Sequence, residues 1–509
     1  MPIRPALTTV GAGDPRSKPG KTLDFVVCLG HDQVVAQVSR LRLVVCDDDD
    51  VRARAEAAAA EGSPAAALAL MATAAEDLER DAPLTAAVLW AEGSWYALLA
   101  HGAARALELA QHAAELADGA AGDVRLVVHA RLGDALQWNG RYADARRSWI
   151  EAAATPTPTD PHLLCTRAAA LLRADDLARA RECAYTAAAR AQAAGDRASI
   201  RDALTFEAYA EIHLGLLREA HASAKRLEAA AGVGMSGDRL EAIGILAWIE
   251  ALLGEERSCR IRFAEAAAGA AELGLTSSGS MAAGLLELAL GRYDAAVDHL
   301  EAKLAGGSPV AAILSLRPFL DALVEACVRA GRRDRARALV DDVFAPAVAT
   351  DRPRYLALAF RMRGLVTDDL DDFATAVEHH GAWGNRFEEA RTRLAFGEAL
   401  RRAKRRAEAR EQLSSARAAF EAVGAKLWAR RAQDELRAAG ARRERVASGT
   451  PLTAQEERIA RLAADGLSNK EIARHLVVST KTVEGHLRNV FEKLGVTSRT
   501  QVARALPPA

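Results

Sequence analysis

Apolar positions along most of this chain return at helical spacing, and the pattern breaks at regular intervals. A short turn recurs at Gly62, His101, Gly140, Asp175, Gly215, Gly254, Gly291, Gly331, Asp371 and Lys404, at spacings of 39, 39, 35, 40, 39, 37, 40, 40 and 33 residues. Five positions after each turn stands a small residue: Ala67, Ala106, Ala145, Ala180, Ala220, Cys259, Ala296, Ala336, Ala376 and Ala409. Apolar residues every three to four positions predict an amphipathic helix on either side of each turn. A fixed period near forty predicts stacked helical hairpins, about ten of them over residues 55–440. The stretch Gly440–Pro451, GARRERVASGTP, is basic and turn-forming and breaks the period, so residues 441–451 are expected to be a linker.

The segment LGDALQWNGRYADARRSWIEAAATPTP carries Leu132, Gly133, Leu136, Gly140, Tyr142, Ala145, Trp149, Ala152, Pro156 and Pro158. That spacing resembles the tetratricopeptide repeat. Small residues at Gly133 and Ala145 let two helices approach closely, and Tyr142 and Trp149 are expected to fill the groove between hairpins. Each hairpin is expected to bury its faces only against its neighbours. Gly140 and Gly291, both in a GRY sequence, fit the pattern closely; the other turns are looser. Residues 1–54 are different, with glycines and prolines in GAGDPRSKPGKT and two β-rich stretches at Phe25–Cys28 and Leu41–Cys46. They are expected to form a short irregular segment or the remnant of a larger domain.

From Leu452 the period shortens. Thr453 with Glu456 and Ser468 with Glu471 make capping boxes, Ser479 caps a third helix, and Ser498 with Gln501 starts a fourth. Gly466 and Gly495 supply the left-handed residues that end the first and third helices. Ile459, Leu462, Ile472, Leu476, Val483, Leu487, Val490 and Leu494 are the expected core. Four short helices with a turn at Val477–Ser479 predict a helix-turn-helix unit over 452–509. The fold class expected is therefore all-α: a tetratricopeptide-like helical-repeat superhelix followed by a four-helix helix-turn-helix domain.

Composition agrees and adds a charge asymmetry. The 509 residues are 50% hydrophobic and 27% charged, rich in the strong helix formers Ala, Leu, Arg and Glu. The formal charge is −1, yet residues 386–509 carry a net +11 and residues 1–385 a net −12. A basic C-terminal quarter suggests a polyanionic partner. The cysteines (Cys28, Cys46, Cys165, Cys183, Cys259 and Cys327) lack metal-ligand spacing and are expected to be small buried apolar residues. No signal peptide and no membrane-length apolar run is visible, so a cytoplasmic protein is expected.

In the third helix, the face opposite the apolar one carries Lys481, Thr482, Gly485, Arg488 and Asn489. Short polar and cationic groups on one side of a helix suit a major groove. The amides at Thr480–Thr482 can meet phosphate. Here the sequence resembles the LuxR-type DNA-binding domain, through LTxxE (Leu452–Glu456), GLSNKEIA (Gly466–Ala473), STKTVEGHL (Ser479–Leu487) and KLGVTSR (Lys493–Arg499). The resemblance implies a helix-turn-helix core from Leu467 to His486. It places groove-reading positions at Glu484, Gly485 and Arg488, and backbone contacts at Lys470, Lys481 and Thr482. Asn469, Ser479, Thr480 and Asn489 complete the expected DNA-binding set. Gln455 stands where Arg is frequent in that family and Glu484 where Lys is frequent; Glu484 can instead accept from a cytosine amino group.

Repeats followed by this domain resemble the large ATP-binding, MalT-like LuxR-type regulators, and Phe396–Gly440 looks like the last repeat before their DNA-binding domain. Those regulators carry a P-loop ATPase. Here PGKT (Pro19–Thr22) lacks the glycine spacing, the leading strand and the following helix that a phosphate loop needs. No cofactor, metal site or catalytic group is expected. His379–His380 and Asp47–Asp50 are expected to be solvated, and the seven tryptophans to fill hairpin cores. The function expected is a DNA-binding transcription regulator. Its partners would be double-stranded promoter DNA, the transcription machinery and a small-molecule or protein effector on the repeats, with a homodimer on DNA. The alternatives are an interaction scaffold with an idle DNA-binding domain, or a truncated ATP-dependent switch.

Overall fold

The computed structural model describes residues 63–506 apart from 233, 273–279, 306–318, 441–451, 477 and 497, together with 51, 54, 55 and 58. The expected β-rich stretches, PGKT, Asp47–Asp50, Cys28, Cys46, the Gly62 turn and the 441–451 linker lie outside the described residues. All regular elements among the described residues are α-helices, 24 of them. They fall into two units by their contacts, Met1–Gln433 and Asp434–Ala509.

The first unit begins with α1 (Pro64–Leu78), and nine hairpins follow. They are α2 (Pro83–His101) with α3 (Ala103–Leu116), α4 (Gly122–Trp138) with α5 (Tyr142–Ala154), and α6 (Pro161–Arg173) with α7 (Leu177–Ala194). Next come α8 (Arg197–His213) with α9 (Leu217–Ala231), α10 (Gly237–Leu253) with α11 (Glu256–Glu272), and α12 (Ser280–Ala289) with α13 (Tyr293–Leu304). The series ends with α14 (Leu320–Arg329) and α15 (Arg333–Ala349), α16 (Pro353–Thr367) and α17 (Leu370–Trp383), and α18 (Arg386–Arg402) and α19 (Arg406–Val423), before the single helix α20 (Lys426–Ala438). The first helix of each hairpin packs on the first helix of the next from α2 through to α16. This is the stacked, tetratricopeptide-like arrangement the period predicts.

One turn geometry does the folding. At Gly140, Asp175, Gly215, Gly254, Gly291, Gly331 and Lys404 a left-handed residue (φ between 63° and 77°) ends the first helix. The amide of the following residue then donates to the carbonyl five positions back, as from Arg141 to Leu136 at 3.0 Å and from Arg405 to Leu400 at 2.9 Å. This is a helix stop that reverses the chain within a few residues. Two turns are displaced from their expected places. The left-handed residues are Gly102, just after His101, and Asp368 rather than Asp371, which lies in the first turn of α17. The small residues five positions on are all buried, from Ala67 to Ala409, at 0–1% exposure. They sit where the second helix crosses the first, and a larger side chain there would push the two apart.

Facing them, glycines in the first helices receive the large residues of the second. A methyl group on Gly133 would lie 2.4 Å from the Trp149 indole nitrogen, one on Gly284 2.5 Å from Leu300, and one on Gly397 2.5 Å from Leu413. Trp149 is 1% exposed, and its N–H donates to Asp134 of α4 at 3.1 Å. Asp134 also meets Arg173 of α6 at 3.2 Å, so Trp149 sits at the junction of two hairpins. Tyr142, expected in the same groove, is only partly buried and lies beside its own turn at Gly140.

The hairpins are not joined to their neighbours alone, contrary to the sequence expectation. Arg352 donates to Asp175 at 2.6 Å across 177 residues. Trp383 and Asn385 donate to the His213 carbonyl at 3.0 Å across 170 and 172 residues. Lys426 reaches Glu255 at 2.7 Å across 171. These three seams recur at one pitch, so the superhelix of the first unit touches itself after about four and a half hairpins.

Beyond the seams, α14, α16, α18 and α20 hold a buried ion cluster. Asp321 meets Arg361 at 2.5 Å and Arg391 at 2.8 Å, Glu325 meets Arg391 at 3.1 Å and Arg431 at 2.8 Å, Arg361 meets Glu388 at 2.8 Å, and Arg329 pairs with Glu398. Four carboxylates face four guanidiniums, and the balance is what makes their burial tolerable. Burial alone would raise the Glu325 carboxyl, but Arg431 and Arg391 hold it far below the usual range.

Two expectations about side chains need correction. His380 is fully buried rather than solvated, with Nε2 2.7 Å from the Thr392 hydroxyl and its ring stacked on Trp383. Its neighbour His379 stacks on Phe360. Trp383 is not simple core filling, since it forms part of a seam. Among the described residues no His, Cys, Asp and Glu cluster could hold a metal, and no helix is long and apolar enough to cross a membrane. Cys165, Cys259 and Cys327 are buried and free; burial pushes the Cys259 thiol up to about 12.

Candidate nucleic-acid interface

The second unit contains α21 (Ala454–Ala464), α22 (Asn469–Leu476), α23 (Thr480–Leu494) and α24 (Arg499–Ala505). Its helices start where the capping residues stand. The Thr453 amide donates to Glu456 Oε2 at 2.9 Å and the Glu456 amide to Thr453 Oγ1 at 3.3 Å. Ser468 and Glu471 repeat the exchange at 2.7 and 3.4 Å. Ser479 Oγ takes the Thr482 amide at 3.0 Å, and the Ser498 amide donates to Gln501 at 3.2 Å. Gly466 and Gly495 have φ of 88° and 66°. The core lies in two clusters that share Phe491: Ile459, Ile472, Val483 and Leu487 pack with Leu462 and Leu476, and Val490 packs with Ala460, Val502 and Leu494. It pins α23 against α21 and α22 by one face only.

The other face of α23 is open. Ser479, Thr480, Lys481, Thr482, Glu484, Gly485 and Arg488 are exposed, Asn489 is partly so, and Lys470 is exposed on α22. Nothing lies within 4 Å of a methyl group placed on Gly485. Glu484 and Arg488 are one turn apart, yet neither joins an ion pair among the described residues. Three expected contact residues are already engaged, the first being Ser479, whose hydroxyl lies 2.7 Å from that of Thr482 and accepts the Thr482 amide. The Thr482 amide is taken within the cap, so of the amides at Thr480–Thr482 it is not left for phosphate. Asn469 is half-buried, and its side-chain oxygen accepts from Arg499 Nη1 at 2.9 Å.

Arg499 and Lys493 are organisers that the sequence reading did not single out. Arg499 also donates to the Leu467 carbonyl, so α24 fixes the approach to α22. Lys493, at the end of α23, meets Glu456 at 2.6 Å. Burial works against the Glu456 carboxylate, but Lys493 and the Thr453 amide and hydroxyl hold it down at about 2. The only sequence trace of Arg499 was its place in KLGVTSR; Lys493 showed no periodic signal linking it to Glu456. The basic excess of residues 386–509 is divided between the units. Asp434–Ala509 holds a net +4, and residues 386–433 hold +7, where Arg391 and Arg431 are consumed in the buried cluster.

Residues 450–506 match the family of bacterial regulatory proteins, luxR family. A protein of Mycobacterium bovis described as an HTH-type transcriptional regulator is 49% identical over 61 residues, 12% of this chain and 7% of its own length. The monoamine regulon transcriptional regulator of Klebsiella aerogenes is 49% identical over 59 residues, 11% of this chain and 26% of its own. The transcriptional regulatory protein UhpA of Escherichia coli K12 is 44% identical over 64 residues, 12% and 33% of the two chains. The likeness thus spans less than a tenth of the first relative and at most a third of the others. A crystal structure of a Rap protein complexed with competence and sporulation factor superposes with a TM-score of 0.50 over 67% of this chain and 99% of that one. At 12% identity this shows a shared helical-repeat fold and nothing more. Family match, cap geometry and open third helix coincide on the same residues: the segment from 450 to 506 is a LuxR-family helix-turn-helix domain, carried behind a tetratricopeptide-like repeat array.

Proposed function

We propose that this protein is a DNA-binding transcription regulator, with α23 lying in the major groove of promoter DNA and the repeat array receiving a small-molecule or protein effector. The observation that carries the reading is Gly485. A glycine inside a helix costs about 1 kcal/mol against alanine, and here neither packing nor backbone conformation requires it. Close approach to another surface is the compensation that remains, and Glu484 and Arg488 flank the notch with unengaged charged groups. Lys470, on the helix that crosses the backbone in this motif, supplies phosphate attraction. Binding as a homodimer on paired half-sites follows from the geometry of such domains. The relatives' names are those of regulators, in keeping with a non-enzymatic role.

Capture of genomic fragments by the purified chain gives the operator, and titrations of two variants then test the assignment. An Arg–guanine pair discriminates by about 1–3 kcal/mol, whereas a phosphate contact carries no sequence information. Arg488→Ala should collapse the difference between operator and random DNA. Lys470→Ala should weaken both alike and lower the log–log salt slope by about one. If Arg488→Ala keeps the operator preference, α23 is not the reader. Should the native chain show no salt-dependent DNA binding, the scaffold reading replaces this one.

A further inference from the structure

The first seam holds more positive charge than it neutralises. Arg352 and Arg354, 3% and 2% exposed, share a single carboxylate, Asp175, at 2.6 and 3.0 Å. The nearby Asp176 is engaged elsewhere, pairing with Arg179 at 3.0 Å and capping α7. Both guanidiniums lie against the Tyr355 ring, at 4.5 and 4.6 Å from its centre, and Arg354 donates to the Tyr355 hydroxyl at 2.7 Å. Arg354 Nε and Nη1 are buried without an acceptor. A buried cation with unmet donors is expensive, and an anion beside it removes both costs.

A cleft opens at the same place. It has a volume of about 590 Å³ between α5, the α6–α7 turn and the start of α16, and Arg354 and Asp175 lie in its wall. That volume is in the range of small-molecule sites, roughly 300–1,000 Å³. The remaining wall is largely apolar, with Ile150, Leu171, Leu177 and Trp383. Ile150 is 46% exposed, one of four large apolar side chains so exposed among the described residues. The Trp383 N–H is already given to His213, which leaves its ring as an apolar surface.

From the cleft and the seam together, we infer that this is a ligand site for a small amphipathic anion, an apolar body with one carboxylate-type head. The head answers the unmet donors of Arg354, which shares its one carboxylate with Arg352; the body covers Ile150 and Trp383. Such a ligand touches α5–α7 and α16–α17 at once and so bridges two passes of the superhelix. The inference gives the effector reading a place and a chemistry, and it rests on that reading only in calling the ligand an effector.

The test uses the full chain without DNA, so that it stands apart from operator binding. The probe is 8-anilinonaphthalene-1-sulfonate, followed by fluorescence, with decanoate, decanol and decyltrimethylammonium as competitors. Saturable probe binding displaced by decanoate at least tenfold more effectively than by decanol or the cationic amphiphile is expected. Ile150→Glu, on an exposed side chain that the fold tolerates, should weaken probe binding at least tenfold. Leu84→Glu, on an exposed leucine (45%) of α2 that precedes every seam, should change it less than twofold. Circular dichroism of both variants confirms that they fold. Equal effects of the two substitutions, equal competition by the cation, or no saturable binding would each overturn the site.

Discussion

Asp175 and Lys404 occupy the same backbone position in their hairpins, with φ of 67° and 63°, where glycine is the unstrained choice. Their side chains have opposite circumstances. Lys404 is exposed and forms no ion pair among the described residues, so Lys404→Gly should stabilise the array by about 0.5–1 kcal/mol through relief of strain. Asp175→Gly relieves the same strain but leaves Arg352 and Arg354 with no counter-charge, and a loss of about 3–5 kcal/mol is expected. Urea midpoints of the two variants should move in opposite directions. Glu456 gives a residue-scale test in the other unit. Its folded pKa of about 2 lies below the ordinary value of 4.5, so its contribution is present above pH 4.5 and is lost as pH falls through about 2. Glu456→Gln keeps a capping side chain but drops the Lys493 pair. It should cost a 446–509 fragment about 1–3 kcal/mol near neutrality and flatten its acid unfolding between those pH values, as read by circular dichroism.

At the scale of the helix, packing between α4 and α5 turns on one close approach. Gly133→Ala places a methyl group 2.4 Å from the Trp149 ring, and the helices must separate to admit it, costing about 1–3 kcal/mol. Trp149→Ala instead empties the junction and should cost about 3–5 kcal/mol. The double variant tests the contact, because with Trp149 gone the alanine at 133 should be nearly neutral. Most of this level was legible in the sequence. The turn period, the alanines five positions on and the caps of α21–α24 are local signals, and local hydrogen bonds enforce them. His380 was misread although the signal was there: Phe373, Ala376 and His380 follow one another at helical spacing, and all three are buried. Its imidazole, lowered well below the ordinary value by burial and by Arg361 and Arg391, stays neutral in the fold. In the helix-turn-helix unit the expected contact residues are exposed except Asn469 and Asn489, which are partly so, and Asn469, Ser479 and Thr482 are committed to internal bonds. Arg499 could not be deduced from periodicity, because its partners lie 30 and 32 residues away on another helix.

Across the whole repeat unit, the seams and the ion cluster were not legible. Hydropathy assigns Arg361, Arg391, Asp321 and Glu325 to a solvated face, and no local pattern links positions 170 residues apart. Their presence changes how the array should respond to editing. In a solenoid with neighbour contacts alone, removing one internal hairpin costs about as much as removing a terminal one. Here deletion of 256–292 joins the Gly254 turn directly to the start of α13 and preserves local geometry, yet brings Asp175 opposite the wrong hairpin. It should lower the urea midpoint far more than deletion of 64–102, which precedes every seam. Equal midpoints for the two deletions would show that the seams contribute little.

The 177-residue separation of Asp175 from Arg352 also sets a delay in time. Hairpins made of near neighbours can close as each leaves the ribosome, but this bond needs a partner not yet translated. At roughly 5–20 residues per second, Asp175 waits about 9–35 s for Arg352 to be made. During that interval His213 and Glu255 also lack their seam partners, Asn385 and Lys426. The nascent array is therefore open along one flank until its last hairpins emerge, and translation speed over residues 175–426 governs how long that flank stays available to other chains.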